Sequence, residues 1–306
     1  MTTILFVKTS SLGDVVHNCP AVSDAARAFP GAAIDWVVEE PFAGIAAMHP
    51  AVRRVIPVAV RRWRSKLWKP ATWSEIGAWR RDLRRERYDA VIDTQSLLKS
   101  ALISASALGR RHGLDRASAR EVLAPMFYDV RHSVPRGMHA VERNRLLAGK
   151  ALGYTPGESP DYGLRAPGAN KSAYAVLLTM TSRNDKLWAD ERWIALAREL
   201  RMPTMLPWGS DDERDRAQRI AAAVGGTALP RRLGIDELAS LFVGAAAVVG
   251  LDTGLTHFAA ALGAPTVGIY CGSDPALTGI YGAARATNLG AIGQAPQVDE
   301  VLRALA

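Results

Sequence analysis

A chain of 306 residues with 48% hydrophobic and 22% charged residues has the make-up of a soluble globular protein, long enough for two α/β domains with sizeable cores. It carries no uncharged apolar run of about 18 residues and no basic, cleavable leader, so membrane-spanning and secreted classes are excluded and a cytoplasmic protein is expected. The formal net charge of +8 is concentrated: residues 53–89 hold twelve Lys/Arg against four Asp/Glu, with four of the eight tryptophans (Trp63, Trp68, Trp73, Trp79), the signature of an anionic partner.

Short β-rich runs alternate with longer helical patterns, which predicts parallel sheets with crossover helices. In the first half the strands are expected at 4–8, 34–39, 53–58 and 89–94, and the helices at about 14–28, 72–87, 96–108 and 138–152. The 72–87 helix sets Trp73, Ile76, Trp79 and Leu83 on one stripe, read as a core-facing face, with five arginines on the others. Residues 153–170, GYTPGESPDYGLRAPGAN, have four glycines, three prolines and no periodicity, so the chain divides into a domain at 1–155, a linker at 156–172 and a domain at 173–306. The second domain repeats the alternation: strands at 173–179, 204–209, 246–252 and 265–270, with helices near 189–200, 211–224, 235–243 and from Leu255. The fold class is α/β, two doubly wound Rossmann-like domains with a cleft between them.

No GxGxxG follows a predicted strand and no GxxxxGK[ST] occurs, which removes the usual dinucleotide oxidoreductases and P-loop enzymes. Cys19 and Cys271 lack disulfide or zinc spacing and read as reduced thiols. Phosphates are still accommodated at helix N-termini, and two strand-to-helix junctions suit them. In KTSSLGD (8–14) the acid Asp14 is either a helix cap or a catalytic base. In VVGLDTGLTHFAAALG (248–263), Asp252, Thr253, Gly254, Leu255, Thr256 and His257 open an Ala-rich helix as either a pyrophosphate cradle or an ordinary N-cap. Thr181, Ser182 and Lys186 follow the 173–179 strand as candidate phosphate contacts, and Glu213 follows the 204–209 strand as a ribose carboxylate or a capping acid.

The strings FVKTSSLGDVVHNCPA, IDWVVEE, VIPVAVRRWR, YDAVIDTQSLLKSA, HAVER, LPWG and LDTGLTHFAAALG, in order between about residues 3 and 282, resemble the lipopolysaccharide heptosyltransferases, which are ADP-heptose glycosyltransferases. RRWR and its surroundings favour the branch that acts first on the inner core. The resemblance implies a GT-B fold, with acceptor on the N-terminal domain and nucleotide-sugar on the C-terminal one. It implies inverting transfer of L-glycero-D-manno-heptose from its ADP-β-linked donor to the first Kdo of Kdo2-lipid A. Asp14 falls on the proposed base and Lys186 on the residue at the donor phosphates. Thr181 and Ser182 fall on phosphate-side hydroxyls, Glu213 on the ribose carboxylate, and Asp252 to His257 on the donor loop. Ser10, Gly13, Arg61, Arg62, Arg64, Lys99 and Arg120 fall on the acceptor side.

In a single displacement one carboxylate takes the acceptor proton while Lys186 and helix N–H groups meet the charge growing on ADP. No metal or cofactor is expected, since the donor is itself a substrate and no DxD-type motif occurs. A monomer at the cytoplasmic face of the inner membrane is expected, its basic, Trp-rich window against the anionic surface. The chain departs from the family pattern at Thr179, where a His is common, at Ser96, where a Gly often follows the Gln, and in a short C-terminal helix. Two other readings remain: a related transferase for another core sugar, and a nucleic-acid binder suggested by Arg runs interleaved with Trp, which leaves the donor-like junctions without a purpose.

Overall fold

The computed structural model describes residues 1–166, 172–181, 183–225, 227 and 229–305. The chain separates into two compact units, Met1–Leu164 and Arg165–Ala306, divided inside the Gly/Pro-rich stretch. Each is a parallel sheet with helical crossovers, as the alternation of short apolar runs and amphipathic segments requires.

In the first unit the strands are β1 (Thr3–Val7), β2 (Ala33–Glu39), β3 (Val52–Val58), β4 (Arg87–Asp93), β5 (Leu108–Leu114) and β6 (Val130–His132). Their spatial order is β3-β2-β1-β4-β5-β6, so the winding reverses between β1 and β4. β1 is central and buried, with Ile4, Leu5, Phe6 and Val7 inaccessible, which is why ILFV is a continuous apolar run. β5 and β6 are not legible as strands in the sequence, because LGRRHGL is basic and partly exposed and VRH is a three-residue edge segment.

Helix boundaries follow local chemistry. The stretch expected as one helix at 14–28 is two, Leu12–Val16 and Cys19–Ala28, the second starting with Pro20 in its first turn, where a missing N–H is harmless. The 72–87 helix runs Pro70–Leu83, and Arg87 instead opens β4. Leu83 is inaccessible, and Ile76 and Trp79 pack on the core of Leu5, Val37, Val91 and Trp63. Trp73 departs from the expected core stripe: it is 60% exposed, and its indole N–H donates to the Leu67 carbonyl at 2.7 Å.

In the second unit β7 (Ala175–Leu178), β8 (Thr204–Met205), β9 (Ala247–Leu251), β10 (Thr266–Tyr270) and β11 (Ala286–Gly290) lie in the order β11-β10-β9-β7-β8, and the winding reverses between β7 and β9. Trp188 and Trp193 meet edge to face at 5.0 Å in its core, and the Trp188 indole N–H donates to the Pro296 carbonyl at 2.9 Å. The final helix, Val298–Leu305, packs on β10 and on the helix Asp190–Glu199. Both cysteines are free and buried.

One buried ionic cluster ties the first unit together. Arg145, on the helix Ala140–Leu152, donates to Asp24 at 2.7 Å, to Glu142 at 2.7 Å and to the Gly157 carbonyl at 2.6 Å. It therefore joins two helices and the start of the Gly/Pro-rich stretch. Arg145→Leu leaves the Asp24 carboxylate with only the largely exposed Arg27 as a cation, so the expected loss in stability is about 3 kcal/mol. Urea unfolding measures it, and the double replacement of Arg145 and Asp24 by leucine is expected to cost less than the single change.

Candidate active site

The reversal points of the two sheets are where adjacent crossovers leave in opposite directions and open the C-terminal sheet edge to a ligand. In the first unit β1 runs out into 8–14 and β4 into 94–100. Gln95 joins the two turns: its side-chain oxygen accepts from Thr9 N–H at 2.6 Å, Thr9 Oγ1 at 2.7 Å and Ser10 N–H at 3.3 Å, and its amide donates to the Ser10 carbonyl. Lys99 Nζ donates to Ser10 Oγ at 2.6 Å. The Gln95 and Ser96 N–H groups in turn donate to Asp93 at 2.8 and 3.0 Å. Tyr128 donates to the other Asp93 oxygen at 2.7 Å, and burial pushes the Asp93 carboxyl up. A β-carbon at Gly113 would lie 2.2 Å from the Tyr128 ring, so glycine there lets Tyr128 reach Asp93.

Asp14 occupies the third position of the helix Leu12–Val16, where its Oδ2 accepts from the Ser11 N–H at 3.2 Å; it is a cap. It is also the centre of a charge cluster. Arg120 Nη1 lies 3.3 Å from both carboxylate oxygens and Lys8 Nζ 4.0 Å from Oδ1. Lys8 is buried and donates to the Thr94 carbonyl at 2.9 Å and to Asn144 Oδ1 at 3.4 Å. Burial alone would push Asp14 up, but the charges of Lys8 and Arg120 and the hydrogen bonds from Ser11 and Arg120 outweigh it and hold the carboxyl below the ordinary carboxylate value. Burial is also what brings Lys8 down to about 8, against the opposing pull of Asp14.

Ser10, Asp14, Lys99 and Arg120 are thus brought together, with Gly13 in the same short helix. Arg61, Arg62 and Arg64 sit on the helix Val60–Arg64 that follows β3. The Arg61 N–H is held by Glu39, at the end of β2, at 2.9 Å. Burial lowers Lys99, with the Glu39 charge opposing and the Arg61 charge reinforcing. Arg62 is turned away to Glu40 at 2.9 Å and to Glu75, while Arg64 is exposed.

In the second unit the reversal lies between β7 and β9, which deliver Lys186 and Asp252. Lys186 Nζ lies 2.5 Å from Asp252 Oδ2; Ser273, after β10, donates to the same oxygen at 2.6 Å, and His257 Nε2 lies 3.4 Å from Oδ1. Burial opposes ionisation of Asp252, yet its hydrogen bonds with His257, Lys186 and Ser273 hold it far below the ordinary carboxylate value. A β-carbon at Gly272 would meet the Asp185 carbonyl at 2.7 Å, so glycine allows these two loops to close up. Thr253 precedes the helix Gly254–Ala261, whose opening N–H groups, at Gly254 and Leu255, fall outside the helical ladder. The buried Thr256 hydroxyl is occupied, donating to the Leu251 carbonyl at 2.6 Å.

Thr181 lies between β7 and the 3-10 turn Asn184–Lys186, and Ser182 lies outside the described residues. Glu213 accepts from Gly209 N–H at 2.6 Å, and Ser210 Oγ accepts from Glu213 N–H at 3.3 Å, a reciprocal cap of the helix Asp211–Val224. At Thr179 the carbonyl accepts from Arg216 at 2.7 Å. Sequence reasoning missed Lys8, Glu39, Asp93, Gln95, Tyr128 and Ser273. A polar residue directly after an apolar strand run marks Lys8, and polar residues two or three positions past a strand mark Gln95 and Ser273; nothing in the local sequence marks Tyr128.

The profile of glycosyltransferase family 9 (heptosyltransferase) matches residues 76–304. The chain belongs to that family. This heptosyltransferase is 44% identical over 290 residues to lipopolysaccharide heptosyltransferase 1 of Escherichia coli K12, covering 91% of each chain. It superposes on the solved structure of E. coli heptosyltransferase WaaC with ADP at a TM-score of 0.92 and 40% identity, covering 99% of this chain and 98% of the other. For WaaC with ADP-2-deoxy-2-fluoro heptose the TM-score is 0.87 at the same identity and coverage. The two Rossmann-like units are those of a GT-B glycosyltransferase.

The depressed Asp14 value gives a sign to its pH dependence. The ion cluster stabilises the fold above the carboxylate's unfolded value, and that contribution is lost as the pH falls through the lower folded value. Lys8 works the other way: its burial penalty is present below about 8 and fades as the pH rises from there towards the ordinary lysine value. In an Arg120→Gln heptosyltransferase the Asp14 carboxyl is expected to titrate at higher pH than in the parent. Carbon-13 NMR of the side-chain carboxyl checks this without depending on turnover.

Proposed function

We propose that this heptosyltransferase moves L-glycero-D-manno-heptose, with inversion, from ADP-L-glycero-β-D-manno-heptose to a hydroxyl of the first Kdo of Kdo2-lipid A in lipopolysaccharide inner-core synthesis. The reading draws on the relative named lipopolysaccharide heptosyltransferase 1 and on the relative solved with ADP and with a fluorinated ADP-heptose. The observation that carries it is Asp14: a carboxylate at the reversal point of the first sheet, partly open to solvent and flanked by two cations.

In the proposed reaction the acceptor oxygen attacks the anomeric carbon as the bond from that carbon to the ADP oxygen breaks, and the hydroxyl proton passes to Asp14. A carboxylate held this acidic is a weak base, which suits a proton that leaves only as the new C–O bond forms. An acceptor carboxylate or phosphate that draws Arg120 to itself removes one of the two cations beside Asp14 and so raises its proton affinity where it is needed. On the donor side, Lys186 and the opening N–H groups of the helix Gly254–Ala261 face the diphosphate. Asp252 fixes the position of Lys186, and incoming diphosphate charge competes with it for the ammonium. Thr181, Ser182 and Thr253 complete the phosphate side, and Glu213 takes ribose hydroxyls.

Arg61, Arg64, Lys99 and Arg120 receive the acceptor's anions. Arg62 contributes less than its position suggests, being matched by two acids. In this reading the enzyme works as a peripheral monomer at the cytoplasmic face of the inner membrane, and the Trp-rich window, with Trp68 exposed beside Lys69, rests on the anionic surface there. Among the described residues no helix is long and apolar enough to cross a membrane.

Purified protein supplied with ADP-heptose and Kdo2-lipid A is expected to release ADP; absence of release with both substrates overturns the reading. Asp14→Ala should keep ADP-heptose affinity and lower turnover by roughly 10²-fold or more, and turnover within a few-fold of the parent removes Asp14 as the base. Lys186→Ala should weaken donor binding and also slow the saturated rate, because the charge grows as ADP departs. A change confined to donor affinity would show that Lys186 acts in binding alone.

A further inference from the structure

Large apolar side chains exposed to solvent are not scattered over this protein. Among the described residues, apart from Met1, seven of the nine lie in the first unit, in two stretches. One, Leu67, Trp68 and Trp73, belongs to the Trp-rich window after β3. The other is Leu102 with Val122, Leu123 and Met126, exposed by 50 to 70%. It has no counterpart in the charge pattern that marks the first.

The second stretch is held close to the Asp14 cluster. Leu102 is in the second turn of the helix Leu98–Ser106, which starts where β4 ends at the reversal point. Residues 115–129 cross the sheet edge between β5 and β6 and are fixed to that helix start: Leu98 N–H donates to Glu121 at 2.6 Å, and Glu121 N–H to the Ser96 carbonyl at 3.2 Å. Ala124 and Tyr128 pack on Ala101 beneath, so the apolar tips of 122–126 are presented outward by a buried footing. Arg120, bonded to Asp14, comes two residues before Val122.

In the strand order β3-β2-β1-β4-β5-β6 the two apolar stretches follow β3 on one side of β1 and β4 and β5 on the other. Asp14, after β1, lies between them on the same sheet edge. We infer that Leu102, Val122, Leu123 and Met126 form a second anchor that inserts into the headgroup and acyl boundary of an anionic bilayer, so that the enzyme straddles its acceptor with one apolar contact on each side. Charge complementarity points to this occupant: Lys99, Arg116 and Arg120 flank the patch in sequence against two acids, Glu121, the one acid in residues 116–126, and Asp14, the partner of Arg120, which leaves a positive excess beside the apolar centre. A basic rim around an apolar centre suits an anionic lipid surface, and two weak anchors hold a peripheral protein where one alone binds marginally. The inference deepens the acceptor reading above and rests on the acceptor being a membrane lipid.

The test uses the full chain and its Leu123→Ser/Met126→Ser variant. Co-sedimentation with vesicles of phosphatidylethanolamine and phosphatidylglycerol is expected to show roughly ten-fold weaker binding of the variant. Its kcat/KM on vesicle-borne Kdo2-lipid A is expected to fall by a similar factor. On a water-soluble, de-acylated Kdo acceptor the variant should match the parent, which also shows that it is folded. Unchanged vesicle binding, equal loss on both acceptors, or loss of a parent dimer in light scattering overturns the inference, the last by assigning the patch to a second copy of the chain. Weaker vesicle binding without turnover of either acceptor by the parent would retain the lipid-docking surface and remove the acceptor reading instead.

Discussion

A lysine and an aspartate meet at the C-terminal edge of each sheet, at the point where strand order reverses, and much of the structure is arranged to keep that pair in place. In the first unit the pair is Lys8 and Asp14; in the second it is Lys186 and Asp252. Removing such charges from water is costly unless each finds a partner and further hydrogen bonds. Both pairs are supplied accordingly, the first by Thr94, Asn144, Ser11 and Arg120, the second by Ser273 and His257. The glycine at 113 and the one at 272 are the steric side of the same requirement, each letting a supporting group approach.

The pairs differ in how firmly they are closed. Asp252 is tightly held on Oδ2 by Lys186 and Ser273, with His257 3.4 Å from Oδ1, and so fixes the position of Lys186. Asp14 has longer contacts to its cations, one of them the half-exposed Arg120, so the proposed anionic acceptor could rearrange it. A base benefits from that looseness, because its proton affinity then depends on whether substrate is present. A residue that stabilises a departing diphosphate benefits from the opposite, a position fixed before the charge develops.

The alternation of elements was legible because β1, β2, β4, β7, β9 and β10 are buried runs of apolar residues, and because Pro and Gly mark where helices start and the units divide. β5, β6 and β11 were not, since edge and partly exposed strands carry no strong apolar run. Trp73 misled for a related reason: helical periodicity gives a face but not what covers it. In the site, position alone left Asp14, Lys186 and Asp252 open between cap and function, and the resemblance to the heptosyltransferases singled them out. Asp93 and Tyr128 act from within the fold, 35 residues apart in sequence, and only tertiary structure brings them together. Asp14 posed a choice between cap and base, and the geometry makes it a cap whose other lone pairs face cations.

Formal charge overstates how strongly the basic window draws in an anion. Arg53 and Arg54 share the buried Asp35, Arg62 is taken by Glu40 and Glu75, and Arg85 by Asp82. These arginines are internal counter-ions whose fields largely cancel beyond a Debye length of about 8 Å at physiological ionic strength. Long-range attraction therefore falls to the remaining basic residues of the window, Arg61, Arg64, Lys66, Lys69, Arg80, Arg81, Arg84 and Arg87. The salt dependence of anion binding at this surface should report that smaller number.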